Sequence, residues 1–150
     1  MSLNFSRIEP TLPTSDSLHL PGMLPVRQSF PGDASVDIAT TVHAGLSELE
    51  GISLEGKNIA ITAGSRGIKG LVNVLQAVVM ELKAQKARPF IVPAMGSHGG
   101  ATAEGQADVL AGYEITAQSM GVPIRSSMEV TELAKGKLNH RIFMDKHAYE

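Results

Sequence analysis

The chain has 150 residues and a mass of 15.9 kDa, enough for one domain with some decoration. Thirteen Lys and Arg against fifteen Asp and Glu give a formal charge of -2, which excludes a polybasic nucleic-acid surface, and four Phe, two Tyr and no Trp leave few platforms for base stacking. With no cysteine, disulfide staples and thiolate chemistry are excluded; no apolar run reaches the roughly 20 residues that span a bilayer, and the polar start Met1–Arg7 has no signal core, so a cytoplasmic protein without membrane contact is expected.

In chain order, residues 1–32 read as an irregular lead-in. Pro10, Pro13, Pro21, Pro25 and Pro31 prevent a long helix there, and only a short edge-type extended piece around Leu24–Phe30 is expected. Asp33 or Ser35 then caps a helix running to about Glu48, with Ile38, Val42, Leu46 and Leu49 on one stripe. His43 lies in that helix with no partner evident in the sequence.

The clearest unit follows. Asn58–Ala63 is short, apolar and rich in isoleucine, the pattern of a buried strand. Gly64-Ser65-Arg66-Gly67 breaks it. The spacing of Ile68, Leu71, Leu75, Val78, Val79 and Leu82 predicts a helix over about Lys69–Lys86, and Phe90–Ala94 reads as the next strand. Strand, helix and strand at these lengths predict a βαβ crossover with two parallel strands.

Thr102 is placed to cap a further helix that stops near Gly112. Ile115–Met120 reads as one more helical turn. Val122–Arg125, Ser127–Leu133 and Leu138–Met144 are strand candidates, with Lys135-Gly136-Lys137 as a turn between the last two, and His147–Glu150 looks like the beginning of an element. Met95, Met120, Met128 and Met144 are expected to fill the core. Together these predict one α/β domain over residues 1–150, with a mainly parallel sheet, a βαβ crossover and helices on both faces, a Rossmann-like arrangement.

In a parallel sheet the loops after the strands emerge at one edge, where ligands bind. Both glycine clusters follow strands. In the first, Gly64, Ser65 and Gly67 let backbone approach a ligand, a helix N-terminus behind them favours an anion, and Arg66 can clamp a carboxylate or phosphate. The loop has neither the P-loop lysine nor a GxGxxG spacing, and the plainer reading is a tight turn with a solvated arginine. The second cluster, Gly96-Ser97-His98-Gly99-Gly100, holds a histidine where little surrounds it to pack against. His98 suits a general base, a metal ligand or an anion donor, with an incidental histidine in a glycine-rich turn as the plainer reading. His140 and His147 have no cysteine or close acidic pair to complete a zinc-type set, and His19 lies in the irregular lead-in.

At these residues the chain resembles a known family. The stretches ITAGSRGIKG, VPAMGSHGGATAEGQ, AGYEIT and GVPIRSSMEV, within Ile59–Glu150, are similar to the N-terminal domain of the nickel-pincer-nucleotide lactate racemases and their uncharacterised relatives. The resemblance implies a larger parent with an N-terminal α/β domain, a C-terminal domain and an active site in the cleft between them. It also implies isomerase chemistry: a nickel-pincer nucleotide takes a hydride from a 2-hydroxy acid while a histidine takes the hydroxyl proton. On matching positions it assigns the catalytic histidine to His98, and substrate or cofactor contact to Arg66 with Ser65, Gly64, Gly67, Ser97 and Gly99. Ala63 stands where the racemases often carry an acidic residue, and Gly99 where they often carry an arginine, so the chain looks closer to the uncharacterised relatives. The second histidine, the tethering lysine and the nickel-ligand histidine lie further downstream in the family. This implies that the chain alone is an inactive, domain-length piece with no cofactor or metal of its own, whose partners are a small 2-hydroxy acid or similar carboxylate and the missing C-terminal domain. Two other readings stay open: an anion-binding α/β hydrolase or transferase with His98 as base, and a non-catalytic α/β module binding a carboxylate or phosphate metabolite.

Overall fold

The computed structural model describes residues 22, 24–29, 36–48, 51–135 and 141–149. The chain divides into two compact units, Met1–Ala34 and Ser35–Glu150. In the first, residues 24–29 carry no strand, so the extended ladder expected there is absent among them, and Leu24 and Val26 are exposed. Most of the lead-in, including His19, lies outside the described residues, as do Asp33, Ser35, Leu49, the 136–140 turn and His140.

The second unit begins with α1 (Ile38–Ser47). Its cap is Asp37, whose carboxylate accepts from the backbone N–H of Thr40 at 2.7 Å. Asp33 and Ser35 are not needed for this, because Asp37 already stands at the boundary between extended and helical backbone. No residue of α1 is fully buried; the helix lies against the next one, and His43 Nδ1 meets Glu81 Oε2 at 3.1 Å.

Strand β1 (Asn58–Ala63) has the bounds expected from its apolar run. Helix α2 (Leu71–Ala84) starts at Leu71 because Gly70 takes a left-handed conformation with φ 77°. It stops before Lys86, whose own φ is 59°. Leu75, Val79 and Leu82 form its buried stripe, each contributing on the order of 1.5–3 kcal/mol by leaving water. Strand β2 (Arg88–Pro93) runs parallel to β1 in register, Asn58 opposite Arg88 through Ala63 opposite Pro93. It begins two residues before Phe90, since the Arg88 N–H already bonds the Lys57 carbonyl at 2.8 Å.

On its other side β2 meets residues 123–125. Ile91 donates to Pro123 at 2.9 Å and accepts from Arg125 at 2.8 Å, a parallel bridge to Ile124. The segment expected as a strand at Val122–Arg125 is thus a single bridge, and β2 is the central strand of the parallel part.

Between these lie a 3-10 turn at Gly99–Ala101, α3 (Ala103–Gly112) and the one-turn α4 (Ala117–Met120). Thr102 caps α3 by accepting from Gly105 N–H at 3.0 Å, as its position predicts. Thr116 and Ser119 form a reciprocal capping box on α4, and Gly121 ends it with φ 65°. Leu75 and Val79 of α2, Leu110 of α3 and Met120 of α4 bury against Ala63 and Ile91 of the parallel pair in one cluster. By strand alternation Phe90 and Val92 turn to the opposite face, where Phe90 lies beneath the Arg125 guanidinium, 4.2 Å from the ring centroid.

The described chain ends in an antiparallel pair, β3 (Val130–Lys135) and β4 (Arg141–Asp145), followed by the single turn α5 (Lys146–Tyr149), which approaches β1. Arg141 pairs with Glu132 and Lys146 with Glu129 across this hairpin. Met95 and Met120 are buried, but Met128 and Met144 are 47% and 39% exposed. The expectation that all four fill the core is corrected for the latter two: Met128 lies in the segment before β3 and Met144 on β4, and neither joins the buried clusters. The architecture is therefore mixed α/β with a parallel pair joined by a βαβ crossover and a separate antiparallel hairpin.

Candidate functional site

Parallel, in-register pairing brings the two glycine-rich loops out at the same edge of the sheet. The Ala94 N–H donates to the Ala63 carbonyl at 2.8 Å, continuing the ladder to the first residues of both loops. Beyond it a cleft of about 300 Å³ opens, lined by Gly64, Ser65, Arg66, Ala94, Met95 and His98, with Ile68 and Leu71 as its apolar wall.

Within the cleft, Ser65 Oγ lies 2.6 Å from His98 Nδ1. Each partner is anchored through its backbone. The Ser65 carbonyl accepts from Tyr113 Oη at 2.9 Å, tying the first loop to the end of α3. The His98 N–H donates to Met95, and its carbonyl accepts from Ala101, each at 3.3 Å. His98 itself is exposed and extended, with φ -65° and ψ 160°, so its ring stands clear of the core.

Glycine is required in this loop for two separate reasons. Gly96, Gly99 and Gly100 have φ of 62°, 63° and 66°, a region that costs other residues about 1–2 kcal/mol each. Gly99 and Gly105 also approach so closely that a β-carbon on either would overlap the other's backbone. Gln106, only 5% exposed, donates its side-chain amide to the Gly96 carbonyl at 2.8 Å, and Thr102 Oγ1 reaches the Gly99 carbonyl at 3.1 Å. The histidine loop is thus pinned to α3 at Gly96 and Gly99, on either side of His98.

Arg66 is exposed, and among the described residues its guanidinium has no hydrogen-bond or ion-pair partner. The N-terminus of α2 behind the first loop carries no side-chain cap. An exposed cation and an uncapped helix start are the features that physical chemistry associates with anion binding. Gly67 and Ser97 are exposed and do not line the cleft, so the structure groups Gly64, Ser65, Arg66 and His98 and leaves those two at its margin. Gly99 acts on the loop's path through its contact with Gly105.

Sequence reasoning missed three residues. Tyr113, Gln106 and Gly105 hold the two loops, and only the long-range fold reveals this; a tyrosine and a glutamine on a helix give no pattern signal. A larger groove of about 650 Å³ lies between α1 and α2, lined by Val36, Asp37, Asn73, Gln76, Met80 and Glu81 among others. Its carboxylates are already engaged, Asp37 by Thr40 and Glu81 by His43 and Gln85, whereas the smaller cleft gathers a cation with no ion-pair partner among the described residues, a hydroxyl and an imidazole. Among the described residues no group of three His, Cys, Asp or Glu side chains is arranged to hold a metal ion, and no described helix is long and apolar enough to cross a membrane.

No protein-family model, no curated protein and no solved structure matches the chain.

Proposed function

We propose that the chain is the N-terminal, Rossmann-like part of a 2-hydroxy-acid racemase or epimerase, related to the nickel-pincer-nucleotide lactate racemases, and that it contributes a carboxylate clamp and a proton acceptor to an interdomain site. The observation that carries the reading is the convergence of Arg66, Ser65 and His98 on one cleft at the carboxyl edge of β1 and β2.

The chemistry follows from the side chains. Arg66 forms two parallel charge-assisted hydrogen bonds with the substrate carboxylate and fixes the neighbouring carbon and its hydroxyl. His98 takes the hydroxyl proton through Nε2, the ring nitrogen not bonded to Ser65, and leaves the electron pair of the broken O–H bond on the substrate oxygen. No amino-acid side chain accepts a hydride. The family's cofactor would supply that acceptor when bound; among the described residues no group of three His, Cys, Asp or Glu side chains is arranged around a metal ion. The roles of tethering lysine and nickel-binding histidine fall on no matching position here. No step through the cofactor is therefore assigned to this chain, whose part is to orient the acid and hold the proton. The parent is soluble and cytoplasmic in this reading.

A carboxylate- or phosphate-binding module without catalysis is the second reading, favoured by Arg66 and the uncapped start of α2. Hydrolase chemistry is disfavoured: Ser65 is not among the non-glycine residues with positive φ, as a strained nucleophile elbow would require, and no described acidic group bonds to His98. The deciding experiment expresses this chain together with the coding sequence that follows it and measures interconversion of enantiomers across a panel of 2-hydroxy acids by chiral chromatography. Racemisation that falls by about 10²–10⁴-fold in His98→Asn supports the reading. A stop codon directly after Glu150, or no turnover of any acid by the longer protein, overturns it in favour of the binding module.

A further inference from the structure

We infer that Ser65 is a positioning residue that sets the tautomer of His98, holding the proton on Nδ1 so that Nε2 is the basic nitrogen of the cleft. The inference rests on the proposed use of His98 as a proton acceptor. Its starting point is the 2.6 Å separation of Ser65 Oγ and His98 Nδ1.

A hydroxyl can donate or accept, and the two cases have opposite consequences. If Ser65 donates to Nδ1, the neutral ring carries its proton on Nε2 and presents a donor to the ligand. If Ser65 accepts from Nδ1–H, the lone pair lies on Nε2 and the ring is a base. The second arrangement also survives the reaction: when Nε2 gains a proton, Nδ1–H continues to donate to Oγ, and no bond has to be broken or reversed. An imidazolium has two donors and no acceptor, so a donating serine would have to turn away once the ring became charged.

The Ser65 hydroxyl proton is then free to point elsewhere. Arg66 is the next residue and lines the same cleft, so that proton can join the guanidinium on the carboxylate. Anion binding at Arg66 draws the Ser65 proton away from His98 and reinforces the accepting geometry of Oγ. Substrate binding thereby favours the basic form of Nε2, and the two loops work as one device.

The backbone makes the pairing persistent. Tyr113 holds the Ser65 carbonyl and Gln106 holds Gly96 on the histidine loop, so the backbone of each loop is anchored independently of the Oγ–Nδ1 bond. Replacing the Ser65 side chain therefore removes the hydroxyl without removing the loop's anchor.

The test is the tautomer of His98 in this chain, read from its two ring ¹⁵N shifts near pH 8 and assigned against His98→Gln, since the chain has five histidines. A free neutral imidazole prefers the proton on Nε2. In the wild type we expect Nδ1–H to be the major tautomer. In Ser65→Ala the preference reverts to Nε2–H, and in Ser65→Thr, which keeps a hydroxyl, Nδ1–H again prevails. Adding lactate to the wild type raises the Nδ1–H share further. A wild-type ring with Nε2–H dominant, or a ratio unchanged in Ser65→Ala with the rest of the spectrum intact, overturns the inference. Neither result bears on whether the longer protein racemises 2-hydroxy acids, so the two failures are separable.

Discussion

The carbonyl of Gly99 lies against the α-carbon of Gly105, in the space that a methyl group on Gly105 would fill. The contact joins the histidine loop to the first turn of α3 with no side chain between them. Gly105→Ala would also bring its methyl to within about 2.8 Å of Thr102 Oγ1, the cap of the same helix. Since backbone cannot rotate aside as a flexible side chain does, the loop must shift. We expect a loss of about 1–3 kcal/mol in denaturant unfolding, the usual cost of overpacking, together with changed ring shifts of His98. Gly112→Ala is the control: nothing lies within 4 Å of the added methyl, it is the last residue of α3, and it should be neutral or mildly stabilising.

Gln106 supplies the second anchor. Its side chain is 5% exposed and spends its amide on the Gly96 carbonyl at 2.8 Å. Gln106→Leu keeps most of the volume and removes the donor. The expected cost is about 1–2 kcal/mol, with faster amide exchange confined to the loop after β2. Uniform acceleration throughout the unit would mean that Gln106 supports the whole core rather than this loop.

Low pH should loosen α1 before the parallel core. The Asp37 carboxyl is held below its ordinary range chiefly by the hydrogen bond from Thr40. Glu81 is lowered first by its hydrogen bond to His43 and then by that from Gln85. A carboxyl whose folded pKa is depressed adds stability that is present above its unfolded pKa and lost as pH falls through the folded value. Both act at α1, one at its start and one across to α2. Exchange of the α1 backbone amides, referenced to those of α2, should therefore rise as pH drops below about 4, and Asp37→Asn with Glu81→Gln should flatten the profile. A profile in which α1 and α2 open together at every pH would contradict this.

The elements that the sequence predicted well are those set by local pattern. Asn58–Ala63 is an uninterrupted apolar run ended by glycine, and the strand has those bounds; Thr102 sits at an abrupt change from glycine to helix-forming residues, and it caps. Errors of two or so residues arose where pairing or a left-handed residue decided the end, as at Arg88, which bonds Lys57, and at Gly70 and Lys86. The site was half legible. The placement of both loops at one edge follows from a βαβ unit, so Arg66 and His98 could be expected to share a ligand. The Ser65–His98 bond could not, because it joins residues 33 positions apart through the rotation of two side chains. The exposure of Met128 and Met144 has a related reason: methionine is apolar everywhere, and whether it is covered depends on what packs over it, not on the residue itself.

Arg66 allows the most direct test of the proposed anion binding in the cleft, because the chain can be studied without turnover. Its guanidinium lacks a partner among the described residues, so a bound carboxylate breaks no ion pair with any of them. Lactate titrated into ¹⁵N-labelled chain should shift the signals of Ser65, Arg66 and His98 together and saturate in the millimolar range, as suits a small ligand in an open cleft. Arg66→Gln keeps a hydrogen-bond donor but loses the charge and the two-pronged geometry. It should weaken binding by about 10-fold or more, in line with roughly 1.5–3 kcal/mol for a hydrogen bond to a charged group. Arg66→Lys, which keeps the charge alone, should fall between the two. Added salt should weaken the wild type more than Arg66→Gln, since part of its affinity is long-range attraction at an exposed site. Equal affinity in wild type and Arg66→Gln would return Arg66 to the role of a solvated turn residue and leave the proposed anion binding in the cleft without its principal source.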